Sequence, residues 1–584
     1  MIKHQMVKAH NFHIPVMGIG FTIDSPIKVA QYGIDSVVSL VDDELMEKLR
    51  KVYSKKFKIN YVEISNKIND YRAKRITSYL NLLKEVSEQK FEELKKSAND
   101  LKEYFNLLPK QALSIDEKDI GIGSIDVNIM TKLDNENYND KVLLPTEFND
   151  AHAALRGFAN SDLNTSLVLS AGMNPRLYSY IENFEDFYPN AEGVINKKII
   201  LKVSDYRSAI IQGKFLAKKG IWISEYRIES GLNCGGHAFA TNGYLMGPIL
   251  AEFRDNKEVI INELYPIYSE ALQAKQRLIP QTPLSIRYSA QGGVGTAEEH
   301  EFLLNHYQMN AVGWGTPFLL VPEATTVDKA TIEKLKEAKE DDLYLSDISP
   351  LGVPFNNLRG NTKDLEKENK IKKQRPGSSC PKKYLASNKE FTEKSICTAS
   401  RQYQHFKIQA LQEEDLSKDL YEQRYKKITE KSCICVGLGT SALLNNDIDT
   451  RREGTGVSIC PGPNMAYFSQ IMTLKNITDH IYNRSNMITR TDRPNMFIKE
   501  LRMYMSDFKS KIEELTIDYS KKQERQVNSY FENLLEGIAY YKILFQEQTN
   551  YFKEQKEDIF DELSKSKKQL ELWINSIKLI ETVS

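Results

Sequence analysis

Three glycine-rich turns carry most of the chemistry this sequence can offer. The segment 284–300, LSIRYSAQGGVGTAEEH, runs from a strand-like stretch through glycines into a helix start with Thr296 as N-cap and acids in its first turn. Glycines at such a junction let backbone N–H groups approach an anion at the helix N-terminus. The segment 310–320, NAVGWGTPFLL, repeats the arrangement a short distance on. Each turn alone is equally well read as a tight turn and no more. The third, 230–239, SGLNCGGHAF, sets a Gly-Gly pair, Gly235 and Gly236, before His237. Paired glycines admit a flat ligand close to the backbone, and an imidazole exchanges protons near neutral pH. A structural histidine is the alternative reading of His237. Cys234, beside that pair, reads either as a redox thiol or as an inert small residue.

The other five of six cysteines, Cys380, Cys397, Cys433, Cys435 and Cys460, fall within one region. Prolines follow Cys380 and Cys460, but no CxxC occurs. Clustered thiolates of this kind suit an iron–sulfur cluster or zinc, and ordinary unliganded thiols remain an equal reading.

These residues need elements to hold them. Short apolar runs at 14–19, 36–41, 125–130, 167–170, 199–203, 220–225, 284–288 and 311–315 alternate with helical patterns. Eight such runs predict an α/β protein, a (β/α)8 TIM barrel, with a doubly wound sheet as the alternative. Barrel sites lie on the loops after the strands, and phosphate commonly binds after strands seven and eight, where the first two glycine turns fall. Residues 43–108 interrupt the barrel after its second strand. Leu45, Leu49 and Val52, then Ile76, Leu80 and Leu83, recur at helical spacing, so this insert reads as amphipathic helices forming a cap or a subunit contact.

The barrel thus occupies 1–358. The charged stretch 359–378 reads as a linker, 379–494 as a cysteine-containing region, and 495–584 as a C-terminal helical hairpin. Two apolar stripes support the hairpin, one through Leu501, Tyr504, Phe508 and Leu515, the other through Phe531, Leu534, Ile538 and Phe545.

Across residues 11 to about 330 the chain resembles the FMN-dependent nitronate monooxygenases, formerly 2-nitropropane dioxygenases, and the related FMN-barrel enoyl reductases. The resemblance lies in Pro15-Val-Met-Gly18, Asp126-Val-Asn-Ile129, Ser170-Ala-Gly-Met-Asn-Pro175, Cys234-Gly-Gly-His237, Ala290-Gln-Gly-Gly-Val294, and Gly315-Thr-Pro-Phe-Leu319 with the trailing Pro322-Glu-Ala324. It implies bound FMN, with the phosphate on Gly292, Gly293, Gly315 and Thr316. The ring would lie against Met17, Gly18 and Asn128, near Gly235 and Gly236, with Lys202 at its polar edge. It also implies His237 beside the substrate as acid, base or hydrogen-bond donor. The family's usual Glu-Ala before Gly-Gly-His is Asn233-Cys234 here, and Trp314 adds bulk to the Gly-Thr segment.

The resulting expectation is an FMN oxidoreductase acting on a small or acyl-chain organic substrate. Two reactions remain open: nitronate-type oxidation by dioxygen, and enoyl-type reduction by NAD(P)H, the latter with or without an iron–sulfur centre. A non-catalytic barrel subunit is the competing class.

Composition narrows the rest. With 584 residues, 41% hydrophobic and 27% charged, the chain is too apolar for disorder. Its 79 basic and 79 acidic residues cancel, which argues against nucleic acid or an anionic membrane as partner. The N-terminus lacks an unbroken apolar stretch and no segment approaches a membrane span, so a cytoplasmic protein is expected. Its helical segments offer surfaces for a homo-oligomer or a partner protein.

Overall fold

The computed structural model describes residues 8–581 apart from 111–115, 117–118, 140–141, 234–235, 238–241 and 518–519. Eight parallel strands close a barrel: β1 (Phe12–Ile14), β2 (Asp35–Ser39), β3 (Ile125–Ile129), β4 (Ser166–Leu169), β5 (Lys198–Val203), β6 (Ile223–Glu229), β7 (Arg287–Gln291) and β8 (Ala311–Gly313). Each pairs with its neighbour in sequence, and β8 closes on β1 with Phe12 opposite Val312. This is the (β/α)8 arrangement, not a doubly wound sheet.

Three strands sit off the expected ranges. β1 stops before Pro15, which has no N–H for the ladder, and Gly18 then turns at φ 54°. β6 and β7 begin and end about three residues later than their apolar runs suggest, because their inward positions are polar. Along β6, Glu225, Arg227 and Glu229 share one face, while Tyr226 packs on Phe253 of the helix Met246–Asp255 outside the barrel. Val37, Val168 and Ile200, with Val16 against them, form one small separate apolar cluster, and Ala9, Phe91, Leu94, Tyr104, Leu108 and Ile120 form another. The apolar core instead lies between barrel and helices and runs on unbroken through the rest of the chain.

The insert is helical as expected: Asp43–Phe57, Tyr71–Lys95 and Ala98–Leu107. Asp43 accepts from both Arg72 (2.6 Å) and Arg75 (2.9 Å), tying the first two helices together.

Beyond the barrel two expectations are corrected. The charged stretch read as a linker contains a helix, Thr362–Lys372, whose N-cap Asn361 accepts from the Asp364 amide and whose Lys363 and Asp364 are buried. High charge with a cap and i,i+4 Glu–Lys pairs makes a helix, not a loop. The C-terminal region holds three helices, Met496–Ile517, Lys521–Glu547 and Lys556–Glu581, where a hairpin of two was expected. It docks on the barrel: the Met246 amide donates to Glu500, and Gly247 donates to the Tyr541 hydroxyl. Among the described residues no helix is long and apolar enough to cross a membrane.

Most consequential is the helix Ile434–Asn445, apolar on every side and almost wholly buried. It lies on the turn after β1, where the Gly20 amide donates to the Leu438 carbonyl at 3.0 Å. Small residues permit this approach, since a Cβ on Gly20 would stand 2.9 Å from that carbonyl oxygen.

Candidate active site

The strand ends carry the expected residues onto one rim. After β7, Gly292 and Gly293 adopt φ of 109° and 85°, the region that favours glycine. A Cβ on Gly292 would reach within 3.0 Å of the Asn233 amide nitrogen. Thr296 then caps the helix Ala297–Asn305, with Glu299 completing a capping box. Among the described residues no protein acceptor meets the amides of Gly292, Gly293, Gly315 or Thr316.

The carbonyl side of the same turns is engaged from beyond the barrel. Asn464 donates to the Gly293 and Val294 carbonyls at 2.7 and 2.8 Å, and the Gly462 amide donates to the Thr316 hydroxyl at 3.1 Å. Arg493 donates to Gly293 and, with two nitrogens, to both oxygens of Glu299 at 2.8 Å. This pair is almost fully buried. Arg493→Met should therefore cost about 3–5 kcal/mol of stability, because it strands the Glu299 carboxylate. Chemical denaturation followed by circular dichroism checks this, and a loss under about 1 kcal/mol would contradict it.

A polar layer crosses the mouth of the barrel. Glu229 Oε1 accepts from Gln291 (2.6 Å) and Asn233 (2.5 Å) and pairs with Lys202 Nζ at 2.7 Å. Lys202, expected at a ring edge, is thus held by a carboxylate that sequence reasoning did not single out. Asn128 Oδ1, near the end of β3, is buried and has no hydrogen-bond partner among the described residues. One layer deeper, Arg227 and Ser289 donate to Glu225 Oε1. Burial would raise the Glu225 carboxyl, but Arg227, then His13 and Arg287, outweigh it and hold it near 2.

His237 follows Gly236, which turns at φ 87° and where a Cβ would strike the Phe355 ring at 2.7 Å. The imidazole is buried, with Nε2 2.6 Å from the Ser349 hydroxyl and its ring edge-on to Phe355 at 5.2 Å. Burial, and secondarily Lys132, push its pKa down to about 4. Ser349 and Phe355 lie beyond the barrel, far from His237 in sequence. Met17 is buried with its amide donating to Thr22 at 3.3 Å, and Gly18 faces Leu438 of the apolar helix. Cys234 and Gly235 fall outside the described residues.

Cys380, Cys397, Cys433, Cys435 and Cys460 are all buried, and none is in a disulfide. Among the described residues no three His, Cys, Asp or Glu side chains make a group suited to hold a metal ion, so the expected centre on these five is not supported.

Comparison with known proteins returns no matching family model and no matching curated protein. Solved structures do match. FabK from Thermotoga maritima is 14% identical over 81% of this chain and 93% of its own, with a TM-score of 0.33. The enoyl reductase domain of MlnA from the macrolactin biosynthesis cluster of Bacillus amyloliquefaciens is 12% identical over 81% and 94%, with a TM-score of 0.39. Nitroalkane oxidase from Streptomyces ansochromogenes is 9% identical over 81% and 94%, with a TM-score of 0.34. At these scores they carry no argument, and the barrel assignment rests on its own strand order.

Flavin chemistry can be tested against the residues themselves. Phosphate needs N–H donors on a surface without side chains, which the four amides unpaired among the described residues and the two left-handed glycines provide. A flavin's polar edge needs donors and acceptors, which Asn128 Oδ1 and the Lys202–Glu229 pair provide. The residues present fit the group.

Proposed function

We propose that this chain is an FMN-dependent oxidoreductase acting on a small or acyl-chain organic substrate. The observation that carries the reading is the ordered pair of turns after β7 and β8, whose four amides have no protein partner among the described residues and which lie where barrels bind phosphate. FMN, when bound, supplies hydride or one-electron chemistry that no side chain can.

The chain's own residues divide the remaining work. Gly292, Gly293, Gly315 and Thr316 bind the phosphate through their backbone. Asn128 and the Lys202–Glu229 pair orient the flavin's polar edge. His237 is neutral at pH 7, with Nε2 2.6 Å from the Ser349 hydroxyl; it meets the substrate as a neutral imidazole, and Lys132 supplies positive charge for anionic character that develops there. The helix Ile434–Asn445 and the Asn464 turn exclude water from the rim.

Acid denaturation of the purified protein should release close to one equivalent of FMN into solution. Gly292→Val should lower flavin affinity by at least about tenfold, because a β-branched side chain strains φ 109° and crowds the Asn233 amide. Reconstitution monitored by flavin fluorescence measures both. Folded protein that binds no flavin would favour a non-catalytic barrel subunit. Anaerobic flavin reduction by NAD(P)H, or by a nitronate in its absence, then separates the two reactions.

A further inference from the structure

We propose that Cys380 and Cys397 form a dithiol site that exchanges with small anionic disulfides bound in the cleft beside them. The cleft, about 1190 Å³, opens between the segment 374–402 and the helices Arg401–Gln412 and Lys418–Thr429. Arg375, Lys383, Lys394 and Arg401 line it without a single carboxylate, and Cys380 and Cys397 form part of its wall. A concavity with four cations and no acid selects a negatively charged molecule.

Behind that wall the Cys380, Cys397, Cys433 and Cys435 thiols lie close enough to bear on one another's protonation. Backbone pairing fixes the two cleft cysteines near each other. Ser378 N donates to Ala399 O (2.9 Å), Arg401 N donates to Ser378 O (2.8 Å), and Ser400 N donates to Cys397 O (2.8 Å). Cys380 is held at φ 51°, an uncommon conformation for a residue other than glycine, asparagine or aspartate, and such strain gathers at functional positions. Cys433 is the N-cap residue of the buried helix Ile434–Asn445, where the helix dipole favours a thiolate. The neighbouring Cys380 and Cys435 thiols hold the Cys433 thiol well below its ordinary value, and Cys380 is raised correspondingly.

The exchange balances within this group. Cys380 Sγ attacks one sulfur of the bound disulfide, a protein–ligand mixed disulfide forms, and the first ligand thiolate leaves with the Cys380 proton. Cys397 Sγ then attacks Cys380 Sγ, the second ligand thiolate leaves with the Cys397 proton, and a Cys380–Cys397 disulfide remains. Two protein thiols are oxidised and one small disulfide is reduced to two thiols. This activity is independent of any flavin on the barrel rim.

The test uses the full-length protein, reduced, desalted and exposed to oxidised glutathione, with timed alkylation and peptide mass spectrometry. One disulfide joining Cys380 to Cys397 is expected, forming at least about tenfold faster than with the cationic disulfide cystamine. Cys397→Ser should stop at a glutathione adduct on Cys380, and Cys380→Ser should give neither product. Lys383→Glu/Arg401→Glu leaves every thiol in place and should erase the preference for the anionic reagent. Three results would overturn the proposal: a different cysteine pair, no charge preference, or near-stoichiometric zinc or iron that shields all four thiols from alkylation until it is chelated.

Discussion

His237→Asn should lower the rate of the substrate-dependent flavin half-reaction by about 10²- to 10⁴-fold, while bound flavin is retained. Asparagine keeps a polar group that can meet the Ser349 hydroxyl but loses the imidazole. Stopped-flow flavin reduction separates this from a structural effect. A histidine that only packs against Phe355 would lower the melting temperature and leave the half-reaction near the wild-type rate. The pH profile adds an independent reading. Because burial holds the imidazole near pKa 4, any limb of kcat/KM due to His237 should fall near pH 4, not near its ordinary 6.5. A limb near 6.5 that His237→Asn abolishes would contradict the geometry.

The second large effect is acid unfolding. His10 and His237 are held near 4, and His13 and His300 near 3, in each case first by burial. The folded protein keeps all four neutral, whereas in the unfolded chain each takes up a proton as the pH falls below about 6.5. The unfolded state therefore binds more protons, and stability declines from about pH 6.5 down through the folded-state values. At pH 5 each group should have cost about 2 kcal/mol, so the four together approach the whole stability of an ordinary domain. Glu500 runs the other way: burial raises it to about 7, so its protonated form favours the fold below that pH, while His306 and His480, also lowered by burial, add to the loss. Thermal melts from pH 7.5 to 4.5 should show a steep fall beginning near pH 6.5. A flat melting temperature across that range would mean that these imidazoles are hydrated in solution.

The sequence showed the barrel clearly because strand and helix periods alternate, and it placed the two glycine turns at the ends of β7 and β8 because glycine interrupts a strand pattern. It was blind to what faces those turns. Asn464, Arg493, Ser349 and Phe355 reach the rim from beyond the eighth strand, and no local pattern marks a residue whose partner lies more than a hundred positions away. Glu229 was hidden for a different reason. It belongs to an inward polar face along β6 and β7, so the apolar runs used to find those strands began too early. The charged stretch at 362–372 misled because charge alone was read, where the Asn361 cap and the Glu366–Lys370 pair spell a helix. In the cysteine region the grouping of the thiols was legible, but what the grouping serves depends on the cleft beside them.

The burial of Ile434–Asn445 against the turn after β1 bears on how the protein is made. The last barrel strand ends at Gly313, yet the helix that covers the rim is synthesised only when residue 445 has been added. At about 5–20 residues per second the ribosome takes on the order of 10 s to bridge that distance. For that interval a nascent barrel has all its strands and an uncovered mouth, with the loop at Gly18 and Gly20 still facing water. Loading of the proposed FMN would thus have a natural moment during translation, and a chain released before residue 434 would keep that apolar surface exposed to chaperones and proteases.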